Sequence, residues 1–186
     1  PLDNPDALAD LEAGLQAAWA EAPWRAAPRV DGELRPGSER AVTDPADRRR
    51  VAGSVAEADA HLAGAAMAGA AAAFPAWSRT PVAERAAALE RAAYLIENDR
   101  AGLMARIIRE GGRTIPDALA EVREAADFCR YYAATAREQL AERILPGPTG
   151  ERNVLRAEGR GVFFCVSPWN FPAAIFTGQV AAALAA

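Results

Sequence analysis

The stretch RGVFFCVSPWNFPAAIFTGQV, residues 160–180, decides how this chain is read. Its first part, RGVFFCVS, is almost continuously apolar, the pattern of a strand buried on both faces of a sheet. Its last part is apolar and helix-prone and predicts a helix from just after Pro172 to Ala186. Between them, two prolines bracket a tryptophan, an asparagine and a phenylalanine. Proline lacks the backbone donor and disfavours helix in the residue before it, so Ser167 and Phe171 are expected to be extended and SPWNFP to be a stiff loop. A buried strand, a short loop and a helix packing back on the sheet open an α/β unit. Ligands of such sheets bind just outside the carboxyl ends of the strands, which is where SPWNFP falls.

Upstream of this unit the pattern is mostly helical. DNPDALADLEAGLQAAWAEAPW offers Asn4 as N-cap, Pro5 at the first helical position and an apolar face through Leu8, Leu11, Leu15 and Trp19. From Pro28 to Val55, prolines and glycines interrupt short segments, which predicts a small antiparallel element joined by turns. The triplet Arg48, Arg49 and Arg50 within it is a solvated strand or turn rather than a basic patch. Four helices follow: one ending near Pro75, one capped by Thr80 with Pro81 at its first position, one stopped by Gly111 and Gly112, and one from about Pro116 to Glu142. Ala86, Leu89, Ala93 and Ile96 form one apolar stripe on the second of these. LPGPTG is loop, and ERNVLRAEG reads as a further strand.

Composition narrows the function classes. The chain has 186 residues, 51% of them hydrophobic, which is enough to bury a core. A net charge of −4 and the absence of a basic stripe interleaved with aromatics argue against nucleic acid as a partner. All 21 basic residues are arginine and alanine makes up about a quarter of the chain, a signature of GC-rich coding rather than of function. Cys129 and Cys165 are not spaced as a metal pair, so no metal is expected, and a reduced cytosolic protein is the default. No signal peptide opens the chain, and the alanine-rich run at 61–74 is too short and too weakly apolar for a membrane span. The first residue is Pro1 and the last lie inside a helix-prone run, which reads as a piece of a longer polypeptide.

The candidate chemistry is concentrated in the loop. Asn170 carries two amide donors, and on a rigid loop they would hold the fixed aim that stabilising an oxyanion requires. The competing reading is a turn asparagine bonded to its own backbone. Trp169 and Phe171 read first as packing residues. Cys165 sits in VFFCV with no histidine partner or helix N-terminus to activate it, and Cys129 lies among aromatics, so both read as structural thiols. Glu121, Glu124 and Asp127, three apart on one helix, form either an acid pair for chemistry or, more commonly, a solvated stripe. His61, the lone histidine, has no nearby acid or thiol and reads as structural or solvated. No glycine-rich phosphate loop of a familiar pattern occurs.

SPWNFP with the following AAIFTGQVAAALAA strongly resembles the N-terminal half of the NAD(P)-dependent aldehyde dehydrogenase superfamily. AAFPAWSRTPVAERAAALERAAYLIE, REGGRT and EVREAADFCRYYA agree, in the right order from about Pro45 to the end. EVREAADFCRYYAATARE together with the loop is most similar to L-glutamate γ-semialdehyde (1-pyrroline-5-carboxylate) dehydrogenase. In particular it resembles that domain in the bifunctional proline utilisation A proteins of bacteria. Arg113 stands where the family commonly has lysine, with charge retained. The fold so implied is α/β: a helical block and the start of a Rossmann-like parallel sheet, with 1–44 an N-terminal helix and linker and 45–186 the incomplete NAD-binding domain.

The resemblance also assigns roles. In the family a cysteine thiolate attacks the aldehyde, a loop asparagine and a backbone N–H hold the oxyanion, hydride passes to NAD, and a glutamate activates water. Asn170 matches that asparagine. Ser167, Pro168 and Trp169 match positions lining the nicotinamide end of the NAD site, while Phe171 and Glu124 match positions facing the substrate. The nucleophilic cysteine, the glutamate base and the phosphate-binding turn are expected beyond Ala186, so the chain alone is expected to lack activity and to bind NAD weakly or not at all. FAD is expected only in a separate upstream proline dehydrogenase domain. The resemblance implies a cytoplasmic homo-oligomer at full length with a small aldehyde as substrate. Two other readings stay open: a dehydrogenase for a different aldehyde, and a non-catalytic helical interaction module.

Overall fold

Asn4 starts the first helix as its sequence requires, its side-chain Oδ1 accepting from Asp6 N at 3.0 Å and Ala7 N at 3.1 Å. The computed structural model describes residues 4–186, so the chain's first three residues lie outside it. Helix α1 spans Pro5–Ala20 and buries Leu11, Leu15 and Ala18, while Leu8 stays exposed. Strands β1 (Trp24–Ala26), β2 (Arg29–Val30), β3 (Glu33–Leu34), β4 (Ser38–Thr43) and β5 (Val51–Glu57) follow. β2 and β3 form an antiparallel hairpin across Asp31-Gly32, both at positive φ, the two-residue turn that Asp-Gly favours. β4 pairs antiparallel with β5, as expected, but β1 joins the other edge of β5 in parallel. The three-stranded sheet is therefore mixed, and the chain is α/β with a parallel pair. The turn between β4 and β5 is tied by buried Asp44, which accepts from Ala46 N at 2.8 Å and pairs with Arg50 at 2.9 Å. The arginine triplet thus belongs to a turn.

Helix α2 runs Ala60–Trp77 behind an Asp59 cap and passes through Pro75, two residues beyond the expected stop. Proline's missing N–H and ring clash are tolerated there because only the last turn is affected. Helix α3, Val82–Asn98, begins one residue later than expected. Pro81 itself is the cap with extended ψ, and the Thr80 hydroxyl turns back to Ala76 O instead of capping α3. Helix α4, Arg100–Gly111, stops at Gly112 in the left-handed conformation (φ 66°). Helix α5, Ile115–Gln139, is capped by Thr114 and ends three residues before Glu142. Strands β6 (Arg143–Leu145) and β7 (Asn153–Leu155) then pair antiparallel, and helix α6 spans Ala174–Ala185.

Two cores share α5. Ala86, Leu89 and Ala93 of α3 meet Ala126, Cys129, Ala133 and Ala136 of α5 and Ala181 and Ala185 of α6. On the other flank, α5 gives Ala118 and Val122 to a cluster with Leu11 and Leu15 of α1 and Met104, Ala105 and Ile107 of α4. Many of the alanines are thus structural, permitting close helix approach. The same logic leaves Gly178 bare on α6, where an added Cβ would stand 3.0 Å from the Phe128 ring. The boundary expected at 44/45 falls between the paired strands β4 and β5, and α1 shares a core with α4 and α5.

The strand expected at 160–167 is not formed. Among the described residues no strand pairs with this segment, and Phe163, Phe164 and Val166 are 58%, 83% and 66% exposed. An apolar run becomes a buried strand only where a ladder partner and covering layers exist, and pattern alone supplies neither. The expected strand at ERNVLRAEG shrinks to β7 and pairs with β6, not with a parallel neighbour.

Candidate functional site

The loop 167–172 leads directly into α6, and three contacts from other elements hold it. Gln179 Nε2 donates to Val166 O at 2.9 Å on the entering side. The Arg113 guanidinium lies over the Phe171 ring, 5.1 Å from its centroid, at cation–π range. On the leaving side, Glu121 Oε2 accepts from the backbone N–H groups of Ala173 and Ala174, both at 3.1 Å. The chain turns at 169–170 and again at 172–173, so the loop is a folded double turn rather than the extended segment expected. The prolines stiffen it without straightening it.

Asn170 occupies the first turn, half-buried, and among the described residues its side-chain amide has no hydrogen-bond partner. A turn asparagine closing its own backbone is therefore not what the geometry displays. Ser167 is half-buried, Pro168 exposed, and Trp169 83% exposed. Trp169, Pro172 and Ala173 border a groove of about 570 Å³ whose lining also includes Trp24, Arg106 and Glu110. Phe171 faces away from full exposure beneath Arg113. Glu124 is exposed on α5 and lines a different, shallow depression with Ala120, Arg123, Asp127, Phe128 and Tyr131. No loop residue borders that depression, so the two candidate substrate residues do not share a cavity.

Glu121, grouped by its spacing with a solvated stripe, is instead 2% exposed. Two signals pointed to it. Ala118 and Ala125, three before and four after it, lie on the buried face of α5. Helix α6 opens with Pro-Ala-Ala-Ile, which contains no capping side chain, so its first N–H groups need an acceptor from elsewhere. Cys129 is buried, and that burial pushes its thiol up, as a structural cysteine requires. Cys165 is half-buried in the unpaired segment. Among the described residues no group of three or more His, Cys, Asp or Glu is arranged to hold a metal ion, and no helix is long and apolar enough to cross a membrane.

Comparison with known proteins covers this loop together with most of the chain. The model of the aldehyde dehydrogenase family matches residues 34–186. The chain belongs to the aldehyde dehydrogenase family. The match begins ahead of Pro45, where the recognisable motifs start, and takes in β4 and the turn that follows it. Bifunctional protein PutA of Escherichia coli K12 is 40% identical over 185 residues, covering all of this chain and 13% of its own length. The crystal structure of proline utilization A from Bdellovibrio bacteriovorus, inactivated by N-propargylglycine, superposes with a TM-score of 0.90 at 30% identity, covering 95% of this chain and 19% of that one. A 1-pyrroline-5-carboxylate dehydrogenase from Thermus with bound NAD also gives 0.90 at 30% identity, over 98% of this chain and 36% of that one. The chain thus spans about an eighth of the curated PutA relatives it matches.

Proposed function

We propose that this chain supplies the first part of an NAD-dependent aldehyde dehydrogenase that oxidises L-glutamate γ-semialdehyde to L-glutamate, the second step of proline breakdown. The observation that carries the reading is Asn170: a half-buried amide with no protein partner among the described residues, on a loop anchored on both sides, in a chain of this family. In this role the Asn170 side-chain N–H donates to the oxyanion formed when a thiolate adds to the aldehyde carbon. A donor already in place needs no reorganisation as the charge develops, and that is the source of its effect. Phe171 lies beside the aldehyde carbon and excludes water. Glu124 faces the substrate from α5, an assignment resting on the resemblance, since it borders a separate depression.

The residues present fit one end of NAD. Ser167 offers a hydroxyl and Trp169 an open indole face, a set suited to a planar, amide-bearing nicotinamide ring. The pyrophosphate does not fit here, because the N-terminal N–H groups of α6, the ordinary anion site, already bind the Glu121 carboxylate. When bound, NAD would supply the hydride acceptor, and Ser167, Pro168 and Trp169 would hold its nicotinamide end. The division into 1–44 and an incomplete NAD-binding domain at 45–186, a cytoplasmic location and a homo-oligomeric full-length enzyme belong to the same reading, which is supported by the resemblance to PutA and 1-pyrroline-5-carboxylate dehydrogenase.

The experiment is a pre-steady-state measurement of hydride transfer in the full-length enzyme. Asn170→Ala lowers the rate by about 10²–10³, the usual cost of one oxyanion donor, with NAD affinity little changed. A rate equal to wild type removes Asn170 from the chemistry. Comparing glutamate semialdehyde with an aldehyde of equal length lacking the carboxylate tests the substrate, and equal kcat/KM for the two would reject it.

A further inference from the structure

Helix α6 has no local device to start it. Its N-cap position is Ala173, which offers no side-chain acceptor, yet Ala174 is fully buried and its N–H cannot reach water. The acceptor comes from 52 residues upstream, where Glu121 Oε2 takes both the Ala173 and Ala174 N–H groups at 3.1 Å. The other carboxylate oxygen, Oε1, is buried with no partner among the described residues. Leaving a carboxylate oxygen unpaired in the interior is costly, and a structural cap alone would be served by Ser, Thr, Asn or Asp at 173 without that cost. What the distant carboxylate does that a local cap cannot is fix the loop's exit in the frame of α5. That helix is clamped between two cores, with Ala118, Val122, Ala125 and Ala126 all buried around Glu121.

We propose that Glu121 is a positioning residue for Asn170. Only two residues, Phe171 and Pro172, separate Asn170 from the anchored Ala173 N–H, and Arg113 over Phe171 holds the ring between them, so little backbone freedom remains to the amide. The proposal rests on the reading of Asn170 as the oxyanion donor. Misplacing a donor by about 1 Å costs on the order of 10²-fold in rate, far more than a helix cap is needed for. Glu121 touches neither substrate nor cofactor and acts through the loop.

The test uses four variants of the full-length enzyme: Glu121→Met, Glu121→Gln, Asn170→Ala and the double Glu121→Met/Asn170→Ala. Hydride transfer is followed in single turnovers, and NAD affinity by titration. Glu121→Met keeps the volume but loses the acceptor, and its rate falls roughly 10–100-fold with NAD affinity unchanged. Glu121→Gln keeps an acceptor oxygen and restores the rate to within about threefold of wild type, a loss comparable with weakening one charge-assisted hydrogen bond. The double variant is no slower than Asn170→Ala, because Glu121 has nothing left to aim. A double variant slower by the product of the two single effects, or a Glu121→Met enzyme at wild-type rate, overturns the proposal while Asn170 keeps its role. A wild-type rate for Asn170→Ala overturns that role and, with it, the route from Glu121. Should Glu121→Met fail to fold, Glu121→Gln decides: a loss as large as that of Asn170→Ala, despite the retained acceptor, is the overturning result.

Discussion

Helices α2 and α6 are nearly interchangeable in composition, both rich in alanine and poor in charge, yet they sit in the molecule in opposite ways. α2 is capped by its own neighbour, Asp59 Oδ1 accepting from Leu62 N at 2.7 Å, and among the described residues it buries no side chain. α6 has no side-chain cap of its own at its start and buries Ala174, Gly178, Ala181 and Ala185. Its ends are completed from elsewhere: Glu121 accepts at the N-terminus, and Arg85, 6% exposed, donates to Ala185 O at 3.2 Å. Negative charge at the first turn and positive at the last also match the helix dipole. The lesson is that burial is decided by what a helix lies against, not by how apolar it is.

The contrast can be broken most forcefully by adding bulk. Ala181→Leu, pressed into the core between α3 and α5, is expected to cost about 1–3 kcal/mol, whereas Ala71→Leu on exposed α2 stays within about 0.5 kcal/mol. Thermal or urea unfolding of the two variants measures the difference. Next come the caps. Arg85→Met leaves buried carbonyls without their donor and is expected to cost about 1–3 kcal/mol, against about 1 kcal/mol for Asp59→Ala. A smaller cost at Arg85 than at Asp59 would mean the distant caps matter less than the local one. Gly64→Ala on α2 should stabilise by about 0.4–1 kcal/mol, since nothing lies within 4 Å of the added Cβ. The same denaturation midpoint reads it.

The smallest effect lies on the exposed α3–α5 seam. Arg137 holds the Glu90 carboxyl, and Arg130 the Glu97 carboxyl, below the ordinary value of 4.5, chiefly through their side-chain hydrogen bonds. A carboxyl whose folded value is depressed adds stability above its unfolded value and loses it as pH falls through the folded one. Acidifying below about 4.5 should therefore weaken the chain, and Glu90→Gln/Glu97→Gln should flatten that limb while leaving melting near neutral pH almost unaltered. An unaltered acid limb would show the pairs to be inert.

What was legible in the sequence is local. Asn4 and Pro5 opening α1, Gly112 closing α4 and the Ala86–Leu89–Ala93 stripe each depend on residues within a turn or two of one another, and each is found in place. The loop and its asparagine were legible because prolines and a familiar motif mark them. The unpaired 160–167 segment was misread because strand formation depends on a partner, and VFFCV has the pattern without one among the described residues. The parallel pairing of β1 with β5 escaped for the same reason, and so did the pairing of Glu121 with α6, although Ala118 and Ala125 marked the carboxylate's face and the capless start of α6 marked the need for an acceptor. A parallel ladder and a cap supplied from 52 residues away leave no periodic trace in the chain that needs them.

That distant cap also sets an order of events. A helix whose first turn depends on another helix gains that support only once the other has formed and docked, so α6 and the turn bearing Asn170 are expected to consolidate after α5 is in place. In hydrogen-exchange terms, the amides of Ala173 and Ala174 should report the docking of α5 against α6 rather than the persistence of α6 itself.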